Sequence, residues 1–76
     1  CYHGTVDDTM VAREAGRTVN RRGLVGQIRD QSDGAVCAAF NDLAGVDALL
    51  AAGDVAAVLT EPVMTNSCMV LPQAGF

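Results

Sequence analysis

Between residues 35 and 59 the sequence reads apolar run, helix, apolar run, and this order restricts the fold more than any other feature. Residues 35–40 (AVCAAF) and 55–59 (VAAVL) are short, continuous apolar stretches without alternation, the pattern of strands buried on both faces. Between them Leu43, Val46, Leu49 and Leu50 recur at helical spacing, with Asn41 as the expected N-cap and Gly53 as the stop. Strand, crossover helix and strand make a βαβ unit over about 35–60, with parallel strands and a right-handed crossover. The class is therefore α/β. A parallel sheet needs helices on both of its faces, and 76 residues barely supply them.

Composition sharpens that shortage. Half of the residues are hydrophobic, but with one Tyr, two Phe and no Trp the apolar mass is mainly Ala, Val and Leu, which pack thinly. A chain of this length buries only about 60% of the surface it exposes when unfolded, so its core is marginal. The expectation is a segment of something larger, with Cys1 and Phe76 as cut ends: residues 1–76 form part of one domain, and no second domain is complete.

The net charge of −4 argues against a nucleic-acid partner, which demands a basic face. The one pair of adjacent cations, Arg21 and Arg22, reads as a solvated loop ahead of a phosphate clamp. No apolar stretch approaches the roughly 18 residues of a membrane helix, and no signal peptide opens the chain, so a cytoplasmic setting is the default expectation. Cys1, Cys37 and Cys68 are odd in number and widely spaced, which points to reduced thiols. His3 is the only His, so Cys1 and His3 lack the further ligands of a metal site, and no metal is expected. Lysine is absent altogether. Any mechanism built on a Schiff base to an enzyme amine is therefore closed to this chain by itself.

Toward the start, Thr5 with Asp8 approximates a capping box, and Val6, Met10 and Arg13 would follow on a short helix. Between residues 14 and 34, Gly and charged residues punctuate small apolar pieces, an irregular excursion with room for a short strand.

In open α/β sheets ligands gather beyond the carboxyl ends of the strands. Glu61 stands there, followed by Pro62 and the polar loop Met64-Thr65-Asn66-Ser67. Two readings stay open: ligand-facing groups, or a strand-end carboxylate and a turn-forming Asn. At the other end Tyr2 and His3 precede Gly4 in a strand-to-helix turn, where the Tyr2 ring either stacks on a flat ligand or simply packs.

Four ordered elements carry a family likeness. Cys1-Tyr2-His3-Gly4 resembles the Y-H-G element of class III pyridoxal-phosphate-dependent aminotransferases, and Phe40-Asn41-Asp42-Leu43 resembles their F-N-D-L junction. Residues 53–62 (GDVAAVLTEP) are similar to the family's strand ending in Glu-Pro, and Asn66, Val70-Leu71-Pro72 and Gly75-Phe76 continue the pattern. Asn66 matches the branch that resembles glutamate-semialdehyde aminomutases, where other members carry Glu. Thr5, Thr65, Cys68 and Ala74 depart from the pattern, and Thr65 and Cys68 put Cβ atoms into a loop where Gly is common.

The resemblance implies part of the large domain of the aspartate aminotransferase-like fold. It implies a parent enzyme, an aminotransferase or aminomutase, that moves an amino group by way of pyridoxal 5'-phosphate between small-molecule donors and acceptors, as a homodimer. It further implies Tyr2 stacked on the pyridine ring, His3 and Gly4 shaping that wall, Glu61 beside the ring hydroxyl and Asn66 facing cofactor or substrate. The Schiff-base Lys, the Asp that pairs with the pyridine nitrogen and the phosphate-binding turn would all lie outside these residues, leaving no catalytic residue within them. Two rivals to a working enzyme are a small non-catalytic α/β interaction module and a degenerate protein of the same fold.

Overall fold

The computed structural model describes residues 4–76. It divides into two compact units, one of Gly4–Cys37 and one of Ala38–Phe76.

The first unit is built around a β-hairpin. A 3-10 turn, Asp7–Thr9, is followed by β1 (Val11–Glu14) and β2 (Arg17–Asn20), and a second 3-10 turn spans Gln31–Asp33. The strands pair antiparallel with Val11 opposite Asn20 and Glu14 opposite Arg17. Ala15 and Gly16 form the two-residue connection with φ of 48° and 81°. Positive φ at both positions is what a type I′ turn demands, one of the two turns whose twist matches that of the flanking strands. The pairing continues past the strands, where the Arg21 N–H donates to the Met10 carbonyl at 3.0 Å.

The helix expected from Thr5 and Asp8 does not form. Val6, at the N-cap of the first turn, is extended and makes no side-chain cap, and the chain runs from a single 3-10 turn straight into β1. The physical reason is competition: an Asp at the third position is shorter than the Glu or Gln of a capping box, and the following residues find a ladder partner in Thr18 and Val19. The strand pair falls across Val11 to Asn20, partly within the region read as irregular.

Polar ties complete this unit. Asn20 Oδ1 accepts from the Gln31 N–H at 2.9 Å and Thr18 Oγ1 accepts from the Cys37 N–H at 2.8 Å, so β2 holds the chain that follows it. Arg22 reaches back to Glu14 in a two-pronged ion pair at 2.9 and 3.0 Å, and Arg29 pairs with Asp8. Gln31 is the one fully buried polar residue among those described, and its Oε1 finds no hydrogen-bond partner among them.

The second unit contains α1 (Leu43–Leu50). The expected helix is present, but its N-cap is Asp42, whose Oδ1 accepts from the Gly45 N–H at 2.9 Å. Gly45 leaves that carboxylate its room, since a Cβ there would lie 2.3 Å from Asp42 Oδ2. Asn41 sits one residue earlier at φ 67° and does not cap. After Leu50 the Gly53 N–H closes on the Leu50 carbonyl at 3.0 Å, with Gly53 at φ 75°, the left-handed stop that Gly provides cheaply. Val46 and Leu49 form the half-buried side of α1, while Leu43 and Leu50 remain exposed.

The βαβ unit over 35–60 is present only as its helix. Neither 35–40 nor 55–59 joins a β-ladder among the described residues, and the first run is itself divided between the two units at Cys37 and Ala38. A parallel strand is held by neighbours on each side, and these residues contain none for it. The consequence is visible in burial: Val58 and Leu59 are 65% and 62% exposed, and no described apolar residue is fully buried.

Candidate functional site

The polar loop after the second apolar run is built by a few backbone bonds. Met64 N–H donates to the Val70 carbonyl at 3.0 Å, an isolated antiparallel bridge that closes residues 64–70 into one excursion. Inside it the Ser67 N–H donates to the Met64 carbonyl at 3.2 Å, a tight turn with Thr65 and Asn66 at its centre. Cys68 and Met69 then take φ of 59° and 60° to bring the chain back. The left-handed backbone that the Gly-poor sequence puts in question is thus adopted at Cys68 and not at Thr65. Two successive non-Gly residues in that region carry real conformational strain.

Glu61 enters the loop half-buried. Its Oε1 accepts a hydrogen bond from the Thr65 hydroxyl at 3.0 Å, which orients the carboxylate toward the turn that carries Asn66. Asn66 is exposed at the next position. The structure therefore places Glu61, Thr65 and Asn66 on one short excursion, offering a carboxylate, a hydroxyl and an amide. Such a set binds a ligand bearing both hydrogen-bond donors and acceptors. Gly4 lies in the other compact unit at φ 83°, half-buried, in a conformation that a side chain would strain. Tyr2 and His3, the expected stacking wall, lie outside the described residues.

Two residues named in the sequence take specific tasks here that the sequence did not assign. Thr65 is the partner of Glu61, signalled only by its i+4 spacing across a turn. Asn41, read as a helix cap, uses its whole side-chain amide elsewhere: Nδ2 donates to the Leu71 carbonyl at 3.1 Å, and Oδ1 accepts from the Gln73 N–H at 2.8 Å. Alongside, the rings of Phe40 and Phe76 meet edge to face with centroids 4.9 Å apart. The F-N-D element and the segment from Leu71 to Phe76 are thus in direct contact.

Among the described residues no group of three or more His, Cys, Asp or Glu side chains gathers to hold a metal. No described helix is long and apolar enough to cross a membrane.

No family model matches the chain. Individual proteins do. A glutamate-1-semialdehyde 2,1-aminomutase of Roseiflexus castenholzii is 42% identical over 81 aligned residues, and one of Desulforudis audaxviator is 39% identical over 79. Each alignment takes in the whole of this chain and 18% of the relative, so the chain spans under a fifth of the length of the curated relatives it matches. A crystal structure of a glutamate-1-semialdehyde-aminomutase from Pseudomonas aeruginosa PAO1 superposes with a TM-score of 0.78 and 46% identity, over 99% of this chain and 17% of that one.

Proposed function

We propose, for a chain homologous along its whole length to a segment of the glutamate-1-semialdehyde 2,1-aminomutases, that it forms one wall of the cofactor site in an enzyme of that kind. The full-length enzyme moves an amino group within glutamate-1-semialdehyde. The observation that carries this reading is the half-buried Glu61 carboxylate, oriented by Thr65 beside Asn66 on the excursion that follows the 55–59 run.

The cofactor on this reading is pyridoxal 5'-phosphate, and the donor set on the 61–66 excursion fits one flank of it. A carboxylate accepts from a ring hydroxyl, and an amide both donates and accepts. What does not lie in these residues is equally specific. With no lysine in the chain, the covalent attachment comes from elsewhere, and no cation stands in 61–76 to meet a phosphate. When bound, the cofactor supplies an electron sink for charge developing beside the amino group.

Each residue of this chain then has a task in binding and orientation. Glu61, held by the Thr65 hydroxyl, keeps a proton-accepting oxygen at a fixed place against the ring hydroxyl. Asn66 presents an uncharged amide to cofactor or substrate. Tyr2 stacks on the ring, and His3 and Gly4 shape the same wall, with Gly4 allowing the chain to turn at positive φ. The wider fold on this proposal is the aspartate aminotransferase-like large domain of the class III aminotransferases, acting as a cytoplasmic homodimer. Residues 55–59 are a strand of its parallel sheet, which accounts for their unbroken apolar character.

The test uses the full-length protein that contains this segment, loaded with pyridoxal phosphate. Glu61→Gln keeps size and polarity but removes the carboxylate charge. It is expected to shift the cofactor's absorption band and to lower turnover of glutamate-1-semialdehyde by at least about tenfold. A band and a turnover both identical to the unsubstituted enzyme would remove Glu61 from the site.

A further inference from the structure

Asn41 does work that neither its sequence position nor the proposed chemistry assigns. Asp42 already caps α1 through its own carboxylate, so the helix does not need the Asn41 side chain. Instead the amide lies against the 71–73 backbone as a strand partner would, donating to one carbonyl and accepting from the N–H two residues on. Both ends of the amide are used, which also settles which atom is oxygen. A carboxylate at this position would lose the donor. Asn is moreover the side-chain-bearing residue that best tolerates the left-handed backbone found here, φ 67°.

The segment it grips follows directly on the functional excursion. Val70 precedes Leu71 and accepts from the Met64 N–H, Met64 accepts from the Ser67 N–H, and Thr65 within that turn donates to Glu61. Hydrogen bonds alternating with single steps of backbone therefore link Asn41 to the Glu61 carboxylate. At its far corner Cys68 and Met69 are both held at φ near 60°, a conformation that would relax if the ends of the excursion were free. The Phe40 and Phe76 rings, one from each of the two joined segments, meet edge to face.

We propose that Asn41 is a positioning residue: its two-pronged grip on Leu71 and Gln73 holds the 61–70 excursion in the shape that aims Glu61 and Asn66 at the cofactor. This rests on the reading that those two residues face pyridoxal phosphate.

The experiment is made on the full-length, cofactor-loaded protein with Asn41→Gly, Asn41→Asp and, as a reference, Glu61→Gln. Asn41→Gly keeps the left-handed backbone free of strain and removes both hydrogen bonds. Asn41→Asp keeps the acceptor for Gln73 and removes the donor to Leu71, a milder change should the first variant fold poorly. Two readouts are taken: amide hydrogen exchange across 64–73, and the pH titration of the cofactor's absorption band. In Asn41→Gly, exchange at Gln73 is expected to quicken by about fivefold or more. The band's titration should move in the same direction as in Glu61→Gln, with Asn41→Asp intermediate in both. Unchanged exchange would show that the grip holds nothing and overturn the proposal. Quickened exchange with an unmoved band would reduce Asn41 to a purely structural tie, again overturning it, and would leave the Glu61 reading intact if Glu61→Gln still moves the band. If no variant moves the band, the reading of Glu61 fails together with the proposal.

Discussion

The two compact units are held together by different means. In Gly4–Cys37 most ties are local and self-contained: a hairpin ladder with a two-residue turn, a pair of 3-10 turns and ion pairs between charged side chains. Side chains tie backbone in both units, with Thr18 and Asn20 holding Cys37 and Gln31 in the first, but the longest such ties lie in Ala38–Phe76. Asp42 holds the start of α1, and Asn41 reaches residues thirty and thirty-two positions away. The first unit meets the hydrogen-bonding needs of its strands internally. The second leaves an apolar run, 55–59, outside any ladder among the described residues. Exposed apolar runs are rarely left uncovered, and on the proposed reading the sheet of the full-length enzyme covers this one. That contrast separates a locally specified element from one that the proposed reading places in a larger sheet.

The largest test of the contrast is Val58→Asp. On its exposure of 65% the substitution belongs to the surface class and should change stability by no more than about 0.5 kcal/mol. If 55–59 is a strand of a covered parallel sheet, the same substitution buries an unpaired carboxylate and costs at least about 3 kcal/mol in the full-length protein. Urea unfolding of the full-length protein decides between the two values, and the larger is expected.

Next in size is Asp42→Ala, which removes the cap of α1 and is expected to cost about 1 kcal/mol by the same measurement. Loss of a similar amount in Asn41→Gly would come from the 71–73 grip instead, and only Asp42→Ala should loosen exchange at Gly45. Smaller and opposite in sign is Ala15→Gly in the hairpin. Ala15 holds φ 48° at a position where an L side chain is disfavoured, so Gly should raise stability by roughly 0.5 kcal/mol. A fall in stability would mean that the turn is not the type I′ form that the two positive φ values indicate.

The smallest effect appears only in acid. The Ser32 hydroxyl, and then the Ser32 backbone N–H, hold Asp30 below the usual carboxylate range. A depressed folded-state pKa contributes stability that is complete above the unfolded value of about 3.8 and is lost as pH falls through the lower folded value. Asp30→Asn should therefore differ from the unsubstituted protein by a constant amount at neutral pH, with the difference shrinking below about pH 4. A difference that persisted unchanged into stronger acid would remove Asp30 as the cause.

The helix of the second unit was legible in the sequence, because a helix announces itself by spacing within one short window, whereas the strands expected at 35–40 and 55–59 are absent from any ladder among the described residues. Leu43, Val46, Leu49 and Leu50 repeat at helical intervals, and Gly53 ends them in the left-handed conformation that Gly favours. The identity of the cap was less legible, since Asn41 and Asp42 are both good capping residues and the choice between them depends on where the Asn41 amide finds partners. The hairpin was hidden for a related reason: Ala15-Gly16 lacks the Asn or Asp that marks such turns, and four-residue strands leave little periodicity to count.

By itself the sequence determined the α/β character, the helix, the family likeness and one hard chemical limit: a chain without lysine supplies no amine for a Schiff base. Each of these follows from residue type or local spacing. Only the tertiary structure decided that Asn41 serves the 71–73 backbone rather than the helix, that Thr65 orients Glu61, and that residues 11–20 form a hairpin. These depend on which groups meet after the chain has turned back on itself, and the Asn41 grip joins residues too far apart in sequence for any pattern to connect.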